Sequence, residues 1–441
     1  MIFHAENTFR PGDRGYDEEL AGFQTGFTQR PDLVVGASGP ADVRQAVRYA
    51  AERGLPVSAQ ATGHGLPGSS EGGVLITTRR MNEVRIDPGS RTARIGAGAT
   101  WGRVIEAAAP HGLAPLSGSF PGVGAVSYTL GGGLGLMARR FGYAADHVRA
   151  LEVVTADGGE RRVTAADGEL YWALLGGGAG LGVVTAIETG LMPVSRLYGG
   201  SLLFGDELVE EVAGAWLEWT GTVPDELTSV LAVLAHPDLP MVPASLRGRY
   251  TASVRVAYTG SAAEGERLVA PLRALGPALE DSLRELPYTE SGSIHAEPEQ
   301  PHPYRGDSAM TSGLDPDALR RVLRATGPGQ PVWTVTQISH LGGALSTPRP
   351  NAVPYRDAAY LVRMLSMITP GTDVPAIRAL HDGVGRGLGS AVLGRSLNFA
   401  FGAGDRTDGL YGPAGARERL ARVKRAYDPG NLFRRGYGFG G

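Results

Sequence analysis

Gln60-Ala61-Thr62-Gly63-His64-Gly65-Leu66-Pro67-Gly68 follows an apolar run at 55–59, LPVSA, that reads as a strand. Glycines 63, 65 and 68 fit the G-x-G-x-x-G spacing of a dinucleotide loop. That loop requires its third glycine to open a helix whose N-terminus faces a pyrophosphate. Here Pro67-Gly68-Ser69-Ser70-Glu71-Gly72-Gly73 follows, a run hostile to helix, so the doubly wound nucleotide fold is excluded. Two readings of the loop remain. Consecutive amides without side chains form a nest for an anion even where no helix follows. A tight turn carrying an incidental histidine is the alternative.

Outward from this loop the pattern is α/β. PDLVVG (31–36) reads as a strand and is followed by a helix with Pro40 in its first turn. Val43, Val47, Ala50 and Ala51 share one helical face, and Gly54 is placed as the cap. Strands are expected at 74–77, 83–86 and 92–98, then a helix over 101–109 ended by Pro110 and Gly112. Two further glycine clusters, Gly131–Gly135 and Gly176–Gly182, flank the strand-like LEVVTADGG. Together with Ser117-Gly118-Ser119-Phe120-Pro121-Gly122-Val123-Gly124 they hold more glycine than strand turns need. They imply something flat or extended lying against the backbone.

Past Pro193 the texture changes. Strands at 253–260 and 331–339 alternate with helices near 261–274 and 315–325, as in a second α+β unit on an antiparallel sheet. Residues 296–307, AEPEQPHPYRGD, read as a loop, and a helix is expected around 414–426.

Composition narrows the chemistry. A net charge of -3 over 441 residues marks no polyanion-binding surface, so nucleic acid is not an expected partner. The chain has no cysteine, which removes disulfides, thiolate metal sites, a cysteine nucleophile and any cysteinyl cofactor bond, and no metal ion is expected. The first twenty residues lack an apolar leader core, and no stretch reaches the roughly 18 apolar residues of a membrane span. A cytoplasmic location without a membrane partner is expected.

These segments resemble the FAD-linked oxidoreductases of the vanillyl-alcohol oxidase (PCMH-type) superfamily, in the berberine-bridge-enzyme-like branch. The resemblance runs from RPDLVVGASGPADVRQAVRYA (30–50) through TGHGLPG (62–68), SGSFPGVGAVSYTLGGGLG (117–135), RRFGYAADHV (139–148) and ELYWALLGGGAGLGVVT (169–185) to YDPGNLF (427–433). It implies an α+β fold of two lobes, with FAD held by residues 1–195 and the C-terminal return 391–441. Residues 196–390 form a substrate lobe on a helix-covered antiparallel sheet. It implies that His64 bonds covalently to the 8α-methyl of the flavin. It places FAD contacts on Gln60, Ala61, Thr62, Gly63, Gly65, Gly118, Val123, Gly124, Gly132, Gly133, Gly135, Gly182, Val183, Tyr427 and Asn431.

Departures from the pattern matter as much. Many relatives attach the flavin a second time through a cysteine where this chain has Phe120, so attachment through one histidine is expected. Val123 aligns with a residue that gates oxygen, and valine there favours O2 as the electron acceptor. Relatives often supply a catalytic tyrosine in Y-x-N; here the stretch is Ser396-Leu397-Asn398, which keeps only Asn398. The substitute base is sought at His340, whose imidazole suits proton transfer, or at Tyr355 and Tyr360, with Arg356 as the cation able to lower a phenol's pKa. Tyr304 and Tyr411 are weaker candidates.

The expected function is oxidation of a small organic molecule, a secondary metabolite, with hydrogen peroxide as co-product. The alternatives are a flavoprotein dehydrogenase, a non-redox cyclase or lyase, and a drug-binding resistance flavoprotein of the mitomycin-resistance type. Few charged clusters between 196 and 390 favour an uncharged or aromatic substrate.

Overall fold

A computed structural model describes residues 7–178, 180–240, 242–369, 371–404 and 406–438. Three sheets carry the architecture, and each follows from a different sequence pattern. LVVG (Leu33–Gly36) and VLIT (Val74–Thr77) are buried at every position, as strands covered on both faces must be. They pair in parallel, and Val57–Gln60 adds in parallel to Val74–Thr77. The helix Pro40–Glu52 covers this sheet through Val43, Ala46, Val47 and Ala50, while Ala51 is exposed. The period of 3.6 from Val43 selects Ala46 rather than Ala51. Gly54 ends the helix at φ 64°, the left-handed conformation expected of its cap.

The second sheet is antiparallel, ordered Glu160–Thr164, Val148–Val154, Val183–Gly190, Thr92–Gly96, Val84–Asp87. Against it pack the helices Trp101–Ala108 and Ala125–Leu130. The third sheet is the largest. Its main run is Arg196–Phe204, Tyr250–Tyr258, Leu227–Ala235, Thr334–His340, Tyr360–Met367, Tyr304–Thr311 and Val392–Gly394, all antiparallel.

Alternation gives the third sheet two unlike faces. Leu231, Val254, Ile338 and Val362 meet the helices Val209–Thr220, Ala262–Arg273 and Pro316–Thr326 in one apolar layer. The other face carries Val230, Arg255, Gln337, Ser339 and Arg363. The fold is therefore α+β, with a helix-covered antiparallel sheet as expected. The loop expected over 296–307 ends early, because Tyr304 already opens a strand. The strand was hidden by its charges: Arg305 donates to the Gly402 carbonyl (2.7 Å) and Asp307 accepts from Arg395 (2.6 Å). No helix among the described residues is long and apolar enough to cross a membrane.

His381, buried on the helix Val374–Leu388, shares a hydrogen bond with Ser366 (2.9 Å). Burial pushes its pKa from 6.5 down to about 4. Between those values the unfolded chain binds the extra proton, so stability is lost as pH is lowered through that window and is flat above it. We expect a loss of roughly 3 kcal/mol from this residue by pH 4. Denaturation midpoints at pH 7 and pH 4.5 should differ less in His381→Gln than in the wild type.

Candidate active site

The loop after Val57–Gln60 is held by its carbonyls and leaves its amides free. Phe23 N donates to Thr62 O (2.9 Å), Gln24 N to Gly63 O (3.0 Å), and the Tyr304 hydroxyl to His64 O (2.7 Å). The N–H groups of Thr62, Gly63, His64, Gly65 and Leu66 donate to no acceptor among the described residues. Five successive unpaired donors in one turn form an anion nest, the first of the two readings of this loop. Gly63 is obligatory here: its φ is 72°, and a Cβ would lie 2.8 Å from the Gly22 Cα. Gln60 braces the turn by donating to Leu20 O (3.0 Å).

His64 lies flat on Phe23, with ring centroids 4.0 Å apart and planes at 14°. Phe120 stands 5.6 Å from the imidazole. Nδ1 meets the Thr62 hydroxyl at 2.8 Å, and Nε2 is buried without a partner. Burial, reinforced by His302, pushes the pKa down to about 4 and keeps the ring neutral. An unpaired buried ring nitrogen beside five free amides is unusual unless another molecule completes the site. These features fit the isoalloxazine and pyrophosphate of FAD.

The remaining glycines tell a more local story. Gly118 and Gly133 are filled by the Tyr128 ring, which would lie 3.0 and 2.7 Å from an added Cβ. Gly135 is closed by the Ser117 carbonyl, Gly182 by the Val154 carbonyl and Gly132 by Val353. Their smallness thus serves the chain's own packing. Gly124 does reach the loop: its N–H donates to the Thr62 hydroxyl (3.2 Å), and a Cβ would meet Ala61 at 3.3 Å. Val123 holds this turn, donating to Phe120 O (3.2 Å) and accepting from Trp101 N (3.0 Å). Val183 pairs with Val154 at the start of its strand.

Tyr427 and Asn431 are not brought to the loop. Val57 N donates to Leu432 O (2.9 Å), which sets this segment at the opposite end of the Val57–Gln60 strand from His64. Asp428 organises it by accepting from Leu432 N and Phe433 N.

Beside Ser119 opens a small cleft floored by the polar face of the large sheet. Its lining includes Arg255, His295, Gln337, Arg363 and Phe399. Of the four catalytic candidates only His340 lines it, stacked on Tyr360 at 5.9 Å. Burial and then Arg139 push the His340 pKa down to about 3, which makes it a weak base. Tyr360 requires correction: its hydroxyl pairs with Thr220 (2.7 Å) and its ring meets Trp216, on the helix-covered face. Tyr355 likewise fills the space over Gly394, its pKa raised by burial. Arg356 activates neither phenol, because Asp146 and Asn351 take its guanidinium. Asn398 has no proton to accept: its amide accepts from Gly133 N and donates to Tyr128 O, both at 3.0 Å, stapling the C-terminal segment to the glycine loop. Tyr304, ranked low in sequence, touches the loop directly, while Tyr411 donates to Tyr437 O away from it.

Sequence reasoning missed Ser119, Arg255, His295, Glu297 and Arg363. The signal was available for Arg255, since alternation in SVRVAY sets it opposite Val254 and Val256. The pairing of Glu297 with Ser119 across 178 positions had none.

Residues 31–164 match the family described as FAD binding domain. The chain is 29% identical over 448 residues to (R)-6-hydroxynicotine oxidase of Paenarthrobacter nicotinovorans, covering 97% of this chain and 95% of that protein. The crystal structure of 6-hydroxy-D-nicotine oxidase from Arthrobacter nicotinovorans superimposes with a TM-score of 0.85 at 24% identity, covering 100% of this chain and 99% of the other. Glucooligosaccharide oxidase from Acremonium strictum, described as carrying 6-S-cysteinyl, 8α-N1-histidyl FAD, has a TM-score of 0.82 at 20% identity, over 97% and 95% of the two chains. With the bare-amide loop, the two-faced sheet and these matches on the page, the chain carries an FAD binding domain at residues 31–164 and is similar over nearly its whole length to FAD-linked oxidoreductases.

Proposed function

We propose that this protein is an FAD-dependent oxidase of a small organic molecule, a secondary metabolite, with the flavin attached covalently through His64 alone. Residues 1–195 with 391–441 form the flavin lobe and 196–390 the substrate lobe. The observation that carries the reading is the pair of unmet demands at one turn: five free amides and a buried, neutral imidazole with an unpaired nitrogen. The amides of Thr62 to Leu66 would hold the pyrophosphate, while Gly124 and Val123 border the ring. Neutrality matters because only an unprotonated imidazole nitrogen has a lone pair with which to bond a methyl carbon. Phe120 adds no second bond, as it has no heteroatom.

FAD bound here supplies the hydride acceptor for a substrate C–H bond, and O2 takes up the two electrons as hydrogen peroxide. The chain's own part is to seat the substrate on the sheet floor, exclude water with Phe399, and take the heteroatom proton. His340 is the candidate for that proton. With a pKa of about 3 it accepts the proton as departing hydride acidifies the substrate's O–H or N–H, not before.

The test is reoxidation. Photoreduced protein mixed with aerated buffer should regain its yellow spectrum within seconds and yield one peroxide per flavin, more slowly in Val123→Leu. Reoxidation no faster than that of free reduced flavin would establish a dehydrogenase. One observation favours a second reading, a non-redox cyclisation or elimination: no tyrosine is among the residues lining the cleft. A product isomeric with its substrate would identify it.

A further inference from the structure

Arg255 and Arg363 stand on the same polar sheet face, with Val230, Gln337 and Ser339 as neighbours. Both line the cleft. The Arg363 side chain is 15% exposed and makes no hydrogen bond among the described residues. It approaches the Glu297 carboxylate at 3.6 Å and lies over the Phe399 ring at 4.8 Å, and its Nε is buried without a partner. Among the described residues the Arg255 side chain makes one hydrogen bond, to Nδ1 of His295 (3.2 Å). A guanidinium only donates, so that nitrogen must accept, and the imidazole proton sits on Nε2. Burial, and then both arginines, keep His295 neutral by pushing its pKa well below 6.5.

The charges do not balance. Two guanidiniums face one carboxylate, and Glu297 also accepts from the Ser119 hydroxyl at 2.8 Å. One positive charge and several N–H donors are therefore left over in a partly desolvated cleft. Such an arrangement costs stability unless a further partner completes it. The remaining donors are of the kind that pair two by two with a planar oxyanion.

We infer that the cleft takes a substrate bearing a delocalised oxyanion, a carboxylate in its simplest form, which Arg255 and Arg363 hold on the sheet floor beside Ser119. The inference rests on the reading of this cleft as the substrate site. It departs from the expectation of an uncharged or aromatic substrate, which arose because these charges lie far apart in sequence.

Acid and amide pairs test it directly: benzoate against benzamide, phenylacetate against phenylacetamide, nicotinate against nicotinamide. Each is titrated into the purified, flavin-loaded protein, following the flavin spectrum and the thermal midpoint. At least one acid should bind roughly tenfold or more tightly than its amide. Arg363→Gln and Arg255→Gln should each erode that preference, and Arg255→Lys should keep part of it. No preference in any pair, or a preference unchanged in both glutamine variants, overturns the inference. If a glutamine variant fails to fold, the wild-type ratios decide alone. The colour of the acid-precipitated protein reads the flavin assignment separately, and the thermal midpoint reports binding whether or not the protein is yellow.

Discussion

His64→Ala should turn a yellow acid precipitate white and leave the flavin in the supernatant. The expectation follows from where the imidazole sits. It is clamped between Phe23 at 4.0 Å and Phe120 at 5.6 Å, with its backbone carbonyl gripped by Tyr304, so the ring has little freedom to serve anything but a partner in front of it. Burial keeps it neutral and able to bond. The free amides of Thr62 to Leu66 survive the substitution, so the variant should still bind FAD, reversibly, and bleed it on dialysis. Its flavin potential should fall and turnover with it, as the resemblance implies for a lost 8α bond. The neighbouring His302→Ala provides the control and should keep a yellow pellet. A coloured pellet from His64→Ala, or a colourless wild type, would sink the tether.

Asp146→Ala should destabilise the fold by about 3–5 kcal/mol, the usual cost of stranding one member of a buried ion pair. Its carboxylate, 1% exposed, accepts from both terminal nitrogens of Arg356, from the Asn351 amide at 2.8 Å and from the Tyr143 backbone at 3.0 Å. Removing it leaves a guanidinium, 12% exposed, without a counter-charge and held only by the Thr347 and Leu345 carbonyls and the Asn351 amide oxygen, while the Asn351 N–H loses its acceptor. Urea denaturation should show the midpoint falling with little change in slope. Adding Arg356→Leu should recover part of the loss, because the stranded charge goes with it. An Asp146→Ala midpoint within error of wild type would show that the pair is replaceable by water.

The flavin-binding half was legible because its signals are local. A strand, a bare loop and a capped helix lie within forty residues at 31–68, and each is dictated by its own glycines and prolines. His64 was singled out for the same reason. The catalytic candidates were less legible. Tyr360 and Tyr355 were chosen as phenols with Arg356 nearby in sequence, but strand alternation turns one toward Trp216, and packing over Gly394 claims the other. Arg356 was read as a cation able to lower a phenol's pKa, when Asp146, 210 positions earlier, already held it. Long-range polar pairing leaves no periodicity to read. The same blindness hid Arg255, Glu297 and Arg363, whose meaning is collective.

The Tyr304 hydroxyl on the His64 carbonyl ties the first glycine loop to a strand of the large sheet, and the Ser119 hydroxyl on Glu297 ties the second to the segment just before that strand, at 2.7 and 2.8 Å. Two short struts, one from each loop, fix the gauge of the slot between those segments. Molecules would then be sorted by thickness, and a bulky guest would have to snap a strut before it could enter.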